Sequence, residues 1–351
     1  MKTADFDFHL PANLIAQKPI AGARDLSRLM VLNKNQQTIV DKHFFDLCSY
    51  VRSGDILVFN NSKVFPARLV GKKQNTGGKI EVFLLKKITT TKTGVVWEAL
   101  VGGKHVATGQ KVVIKDQSWE LLIEIHERLS PQTRKVTLFC LEEKLPEFLE
   151  HLGQTPIPPY IHQMSLPESE LRKKYQTVYA KHEGSVAAPT AGFHFTKELL
   201  QKLKDQGVNI AYITLHVGLG TFAPVKVDDV LKHHMHSEYA VVSPASARLI
   251  NNAKEKGGRV IAVGTTSVRT LESFSQNGVL QSGEKWTNIF ITPGYEFQCV
   301  HGMITNFHLP KSTLFMLVCA FAGTDFMKHA YAEAIKNKYR FYSFGDAMLI
   351  L

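Results

Sequence analysis

A glycine turn that opens a helix is a natural holder of anions, and residues 263–269 have that form. Val263-Gly264-Thr265-Thr266-Ser267-Val268-Arg269 leaves an apolar segment, passes a glycine and continues through three hydroxyl-bearing residues. Helix N-termini present unpaired N–H groups, which suit a carboxylate or phosphate. Arg269 can add a charge-assisted contact. A plainer role is open as well, with Thr266 or Ser267 capping the helix. A second glycine pair lies in Val217-Gly218-Leu219-Gly220-Thr221-Phe222-Ala223. Its spacing formally fits a dinucleotide fingerprint, but Pro224 and the β-rich Val225–Val227 stand where a helix must begin, which argues against a nicotinamide or flavin site. These glycines instead allow close backbone approach to a ligand or strand. Among the 15 histidines, His182, His194, His216 and His308 border small residues or turns, as in a site built at strand carboxyl ends. Glu238 follows His236-Ser237 as a polar group ahead of a strand. His233, His234 and His236 cluster, yet no Cys, Asp or Glu stands near them at ligand spacing, so no metal site is expected. G-x-S-x-G, P-loop and H-E-x-x-H patterns are absent, against the commonest hydrolases, nucleotidases and zincins.

The elements that must position these groups fall into two textures. From Ala67 to Leu141, six β segments are expected: Ala67–Val70, Lys79–Leu85, Val95–Val101, Lys111–Ile114, Trp119–Ile125 and Lys135–Leu141. Short strands at that spacing, almost without helical periodicity, predict a small antiparallel barrel or sandwich. A helix-like stretch, Glu142–Leu152, leads to the proline-rich Pro156-Ile157-Pro158-Pro159 as a boundary. Helix and strand alternate afterwards. Thr196 caps a helix carrying Leu199, Leu200 and Leu203 and stopped by Gly207; Val208–Val217 reads as a strand; Ser243-Pro244 opens a helix ending at Gly257-Gly258. Arg259–Val263 reads as a buried strand, followed by a helix over Val268–Ser275. Such pairs predict an α/β domain with a mixed sheet, and the αβ character of the first 68 residues places them in it. The expected division is a discontinuous α/β catalytic domain, 1–68 and 153–351, interrupted by an inserted β-barrel domain, 69–152.

Composition narrows the class. The 351 residues are 44% hydrophobic and 21% charged, too apolar for a disordered chain. The longest apolar run, Leu314–Ala322, is far shorter than the ~18 residues of a membrane span. Cys48, Cys140, Cys299 and Cys319 lie far apart, as in a reduced cytosolic protein, and Met1–Asp5 has no apolar signal core. The net charge of +11 favours a polyanionic partner, but it is spread as +3, +3 and +5 over residues 1–68, 69–152 and 153–351. No segment is a basic tail, so a nucleic-acid-binding face would have to assemble from several segments in the fold.

Several strings carry a resemblance. Asp5-Phe6-Asp7-Phe8-His9-Leu10-Pro11 with Leu14–Gln17, Arg24–Leu29, Gly54-Asp55 through Asn60-Asn61-Ser62 to Pro66-Ala67-Arg68-Leu69, and Tyr175–Ala180 running into His182–Gly192 resemble the S-adenosylmethionine:tRNA ribosyltransferase-isomerases, the QueA family. So do Gly220-Thr221-Phe222, Met235–Glu238, Gly264–Arg269, Thr305–Thr313, Tyr339–Phe341 and Gly345–Met348. These blocks span nearly the whole chain in order. Phe193 stands where Leu is usual, Ala223 where a longer polar side chain is common, and Ala240 and Phe344 where Tyr is familiar.

The resemblance implies an α/β domain interrupted by a β-barrel and a role in queuosine biosynthesis. The implied reaction places the ribosyl part of S-adenosylmethionine on 7-aminomethyl-7-deazaguanine at the wobble position of tRNAs with GUN anticodons. Its products are epoxyqueuosine-tRNA, adenine and methionine. S-adenosylmethionine is consumed as ribosyl donor, and no other cofactor is expected. A sulfonium acidifies the ribose C5′ protons, so a general base in a water-poor pocket can start the chemistry. Acid/base candidates are His194, His216, Glu238 and His308. Pocket candidates are Glu183, Ser185, Ala188, Pro189, Thr190 and Gly192, then Gly218, Gly220, Thr221 and Phe222; Thr265, Thr266, Ser267 and Arg269 are candidates for the methionine carboxylate or an RNA phosphate. Asn60 and Asn61 are candidates for a base edge and Arg68 for a phosphate. A cytoplasmic monomer is expected. A non-catalytic RNA-binding factor and a conventional methyltransferase are the competing classes, separated by whether adenine or S-adenosylhomocysteine is released.

Overall fold

The computed structural model describes residues 1–158, 160–161, 166–218, 225 and 227–351. A hairpin, β1 (Arg28–Asn33) and β2 (Thr38–His43), is followed by β3 (Ile56–Asn60) and the short β4 (Ser62–Val64). Six strands come next: β5 (Arg68–Lys73), β6 (Lys79–Thr90), β7 (Val95–Gly102), β8 (Gln110–Asp116), β9 (Trp119–Arg128) and β10 (Thr133–Leu138). Helix α1 (Leu145–Leu152), β11 (Gly153–Gln154), α2 (Glu168–Lys174) and β12 (His182–Ser185) lead back. The chain then runs α3 (Lys197–Asp205), β13 (Asn209–Leu215), β14 (Glu238–Val242), α4 (Pro244–Glu255), β15 (Val260–Val263) and α5 (Thr265–Phe274). A hairpin of β16 (Ser275–Gln276) and β17 (Val279–Leu280) precedes β18 (Gly283–Thr287), β19 (Gly302–Asn306), α6 (Thr313–Ala322), α7 (Thr324–Lys336) and β20 (Ala347–Ile350).

Strands buried on both faces read as unbroken apolar runs. That is why Ile56–Phe59, Val260–Val263 and Met303–Ile304 lie at the centre of a nine-stranded sheet, in the order β18-β14-β13-β3-β15-β19-β20-β1-β2. Its middle four strands, β13, β3, β15 and β19, are mutually parallel. Their carboxyl ends therefore emerge along one edge, the place where open α/β sheets bind ligands. Antiparallel partners flank them, β14 and β18 on one side and β20 on the other. One face is covered by α4 to α7, whose Val268, Leu271, Phe315 and Met316 share a core with Ile56, Val58 and Met303. The other packs α3, through Leu199, Leu200 and Leu203, and Phe44 against Leu57 and Phe59.

The second sheet is the expected barrel. Strands β5-β6-β7-β10-β9-β8 pair antiparallel in that order, and β8 returns to β5 through Lys72 opposite Val113 and Lys73 opposite Val112. Closure removes the unpaired edges that a free sheet would expose. Inward residues alternate along each strand, among them Ile80, Val82, Leu84, Val112, Ile123 and Val136. Helix α1 covers one end with Leu145, Leu149 and Leu152. Chain exit and re-entry are joined, since β4 pairs in parallel with β12.

Two local expectations change. Helix α5 begins at Thr265 rather than Val268, and Gly264 is its N-cap with no side-chain cap bond. Ser267 donates back to Val263 O at 2.7 Å and Thr266 Oγ1 accepts from Asn60, so neither caps. Val225 and Val227 are not in a strand. Elsewhere, Thr196 and Ser243 cap α3 and α4 as expected.

Candidate active site

Each parallel strand delivers a polar group to the shared edge. At the end of β3, Asn60 is fully buried and all four of its amide positions are engaged. Its Nδ2 donates to Leu215 O at 2.9 Å and Thr266 Oγ1 at 3.2 Å, while Oδ1 accepts from the N–H groups of Leu215 and Ser62. Asn61 Oδ1 accepts from Thr214 Oγ1 at 2.7 Å. Asn60 therefore locks the sheet edge instead of facing a ligand, and the base-edge expectation does not match its geometry.

His216, just past β13, sits at the head of a hydroxyl chain. Ser62 Oγ lies 2.8 Å from its Nδ1 and 2.5 Å from Ser185 Oγ, and Ser185 Oγ accepts from Val217 N at 2.9 Å. With Nδ1 so engaged, no described residue is hydrogen-bonded to Nε2. Burial lowers the His216 pKa, helped by repulsion from His182, so the imidazole is neutral near pH 7. Gly184, at φ +146°, makes room for the ring; a Cβ there would stand 2.7 Å from imidazole atoms. Ser185 is thus a buried support of His216.

Glu238 starts β14 and is only 3% exposed. It accepts the Gly218 N–H at 3.1 Å and forms a buried ion pair with Arg269 of α5. Arg269 Nε also donates to Ile289 O at 3.3 Å, and its Nη2 is buried with no hydrogen-bond partner among the described residues. His233, Met235, His236, Thr313 and Leu314 complete a small hollow around this pair. No group of metal-ligating side chains occurs among the described residues.

Two larger spaces meet at Val217. One is a hollow over the amino end of α5, lined by Ala188, Pro189, Thr190, Gly264, Thr265, Thr266, Asn306 and His308. The other is an open cleft of about 1560 Å³ between the main sheet and the barrel. Glu183, Gly218, His216 and Glu238 line its sheet side, with Lys86, Lys87 and Trp97 opposite. A ring row crosses this cleft: His216 lies parallel to Tyr239 at 6.2 Å, Tyr239 meets Trp286 at 5.5 Å, and Lys86 Nζ sits 4.1 Å from the Trp286 ring. Flat rings beside lysines form a surface on which nucleobases stack. Sequence spacing could not reveal Lys86, Trp97 or Trp286, because each is brought in from a distant strand.

The remaining candidates separate from this centre. His194 is enclosed, with Nδ1 2.7 Å from Ser27 Oγ and Nε2 accepting from Asn306 Nδ2 at 3.1 Å. Burial, with Arg340 and Arg24 nearby, pushes its pKa down to about 3. His308 borders the hollow, but Nε2 is 3.0 Å from Thr305 Oγ1, and burial takes it to about 3 as well. Neither takes up a proton near neutral pH. Gly192 admits Tyr179, whose hydroxyl would lie 1.9 Å from a Cβ there. Ser267 donates to Val263 O at the end of β15, and Arg68 pairs with Glu81 on the barrel at 2.8 Å. Glu183, by contrast, stays on the cleft wall, where it is exposed and paired with Lys63 across β4 and β12. Gly220, Thr221 and Phe222 lie outside the described residues.

The profile of the family described as queuosine biosynthesis protein matches residues 3–350. An S-adenosylmethionine:tRNA ribosyltransferase-isomerase from Clostridioides difficile is 53% identical over 352 residues, covering all of both chains. The crystal structure of an S-adenosylmethionine tRNA ribosyltransferase from Thermotoga maritima is similar with a TM-score of 0.56 and 36% identity, over 99% of this chain and 100% of that one. Sequence profile, relative and fold agree along the full length, and the chain belongs to the queuosine biosynthesis protein family.

Proposed function

We propose that the chain transfers and isomerises the ribosyl moiety of S-adenosylmethionine onto 7-aminomethyl-7-deazaguanine at the wobble position of tRNA with a GUN anticodon. Epoxyqueuosine-tRNA forms, and adenine and methionine leave. The observation that carries this is His216, a neutral imidazole on the wall of a cleft whose neighbouring hollow lies over a helix N-terminus. The names of the two relatives support the donor and the RNA.

In this scheme the sulfonium donor lies across the junction at Val217. Its carboxylate takes the Thr265 and Thr266 N–H groups at the amino end of α5, a source of positive charge. His216 Nε2 accepts a C5′ proton, and Ser62 holds the ring while the charge develops. Glu238 keeps the Gly218 turn in place from below. The modified base enters between the main sheet, where Trp286 stands on β18, and Lys86 and Trp97 of the barrel. Donor and RNA are both consumed as substrates with no resident cofactor, and the enzyme works as a cytoplasmic monomer.

The test is incubation with S-adenosylmethionine and tRNA carrying the aminomethyl base, followed by mass spectrometry. Adenine, methionine and a ribosyl-derived mass gain on the RNA are expected. S-adenosylhomocysteine would make the protein a methyltransferase, and RNA binding without any release would make it a non-catalytic factor. Unchanged turnover of His216→Ala at saturating donor would remove His216 as the base.

A further inference from the structure

A third, half-open hollow of about 210 Å³ lies on the other side of His194 and has no part in the scheme above. Arg24, Lys174, Phe193, His194, Ser343 and Phe344 line it. One wall is aromatic and flat: the Phe193 and Phe344 rings are 22° from parallel with centroids 5.8 Å apart. The Arg24 guanidinium stands 5.7 Å from the Phe193 centroid.

Its electrostatics are unbalanced. Arg24 donates to carbonyl oxygens only, Gln176 O at 2.7 Å and Lys173 O at 3.2 Å, and makes no ion pair among the described residues. Burial lowers its pKa with no carboxylate to oppose the effect. Arg340, nearby, donates to Lys18 O and is offset by Asp346, which itself accepts the N–H groups of Arg28 and Arg340. Lys174 pairs with Glu170 at 2.7 Å. The Arg24 cation is thus half buried beside a cavity with no fixed anion. Such a group is costly unless something negative completes it.

Position ties the cavity to the reaction. Ser343 lines both this hollow and the one over α5. The hydrogen-bonded series Ser27–His194–Asn306–Thr190 forms the partition between them. We propose that the hollow holds a second nucleotide of the RNA substrate, its base against Phe193 and Phe344 and its phosphate on Arg24. This rests on the RNA substrate argued above and adds a docking point remote from the reacting base. Stacking on aromatic walls with cationic backbone contacts is the usual physics of single-stranded recognition.

The experiment measures anisotropy of a labelled anticodon stem-loop carrying the aminomethyl base over a salt series, with donor affinity followed by equilibrium dialysis. Arg24→Gln should weaken RNA binding about tenfold and lower the salt slope by about one, leaving donor affinity unchanged. Arg24→Lys should retain the slope, and Phe344→Leu should weaken binding at unchanged slope. Arg24 also donates to three carbonyls, those of Lys173 and Lys174 at the end of α2 and of Gln176 beyond it, so melting curves accompany each variant. Independently of any variant, 4-thiouridine crosslinking to the unaltered protein should label residues 19–27 or 343–345. Unchanged RNA affinity in Arg24→Gln, a loss confined to donor affinity, or crosslinks only within the barrel cleft would each overturn the proposal. If the unaltered protein binds no RNA, the proposed function falls with it; if it binds and the variants match it, only the second docking point falls.

Discussion

Substituting Glu238 by Gln removes one charge and almost no volume, and the structure sets the consequence. Arg269 is 5% exposed, its Nη2 already lacks an acceptor among the described residues, and its charge is met by the Glu238 carboxylate. Taking away one partner of a buried ion pair costs about 3–5 kcal/mol, because the remaining charge stays desolvated. The Gln amide oxygen still accepts the Gly218 N–H, so about 3 kcal/mol is expected. For a chain of this size that corresponds to roughly 4–5 °C in Tm. Replacing both partners, as Glu238→Gln with Arg269→Met, leaves no charge to strand and should recover most of the loss. The assay is urea unfolding of the parent, both single variants and the double variant, giving a coupling energy of about 2–3 kcal/mol. Additive single losses, each below 1 kcal/mol, would show that the pair is solvated and refute this account.

Three further outcomes are expected. His194 and His308 stay neutral in the folded chain down to about pH 3, whereas unfolded histidines bind a proton near 6.5. Below pH 6.5 the unfolded state therefore holds more protons and stability falls, by about 2 kcal/mol per histidine at pH 5; urea midpoints from pH 7.5 to 5 check this, and His194→Gln should flatten the slope. Gly184→Ala drives a Cβ into the His216 ring, and turnover should fall at least tenfold with a near-native circular dichroism spectrum. Trp286→Ala should weaken RNA binding by about 1–3 kcal/mol, read by anisotropy, because an exposed ring of the cleft is lost.

The fold was legible wherever local periodicity and burial coincide. The six barrel strands are short alternating segments bounded by glycine or turn residues, and all six form within a few residues of their expected ends. Thr196 and Ser243 act through local capping, which neighbouring residues determine. The site was legible in part. His216 and Glu238 stand beside strand ends that apolar runs disclose, but the hydroxyls supporting His216 come from β4 and β12, more than a hundred residues apart. Arg68, Asn60 and Ser267 are polar residues in matching strings, and the strings do not say whether a polar group faces a ligand or its own backbone. His194 shows the same limit, since only tertiary packing of Phe44 and Asn306 around it fixes a neutral ring.

The pairing of β4 with β12 has a mechanical consequence. The chain's departure towards the barrel and its return are held by one parallel ladder, reinforced by Lys63 and Glu183 at 2.6 Å. Two legs bound to each other resist torsion far better than one, so the barrel is an outrigger on a stiff yoke. Ser62 and Ser185 are rungs of that yoke, and they grip the imidazole of His216. A load placed on the barrel is delivered first to the tilt of that ring.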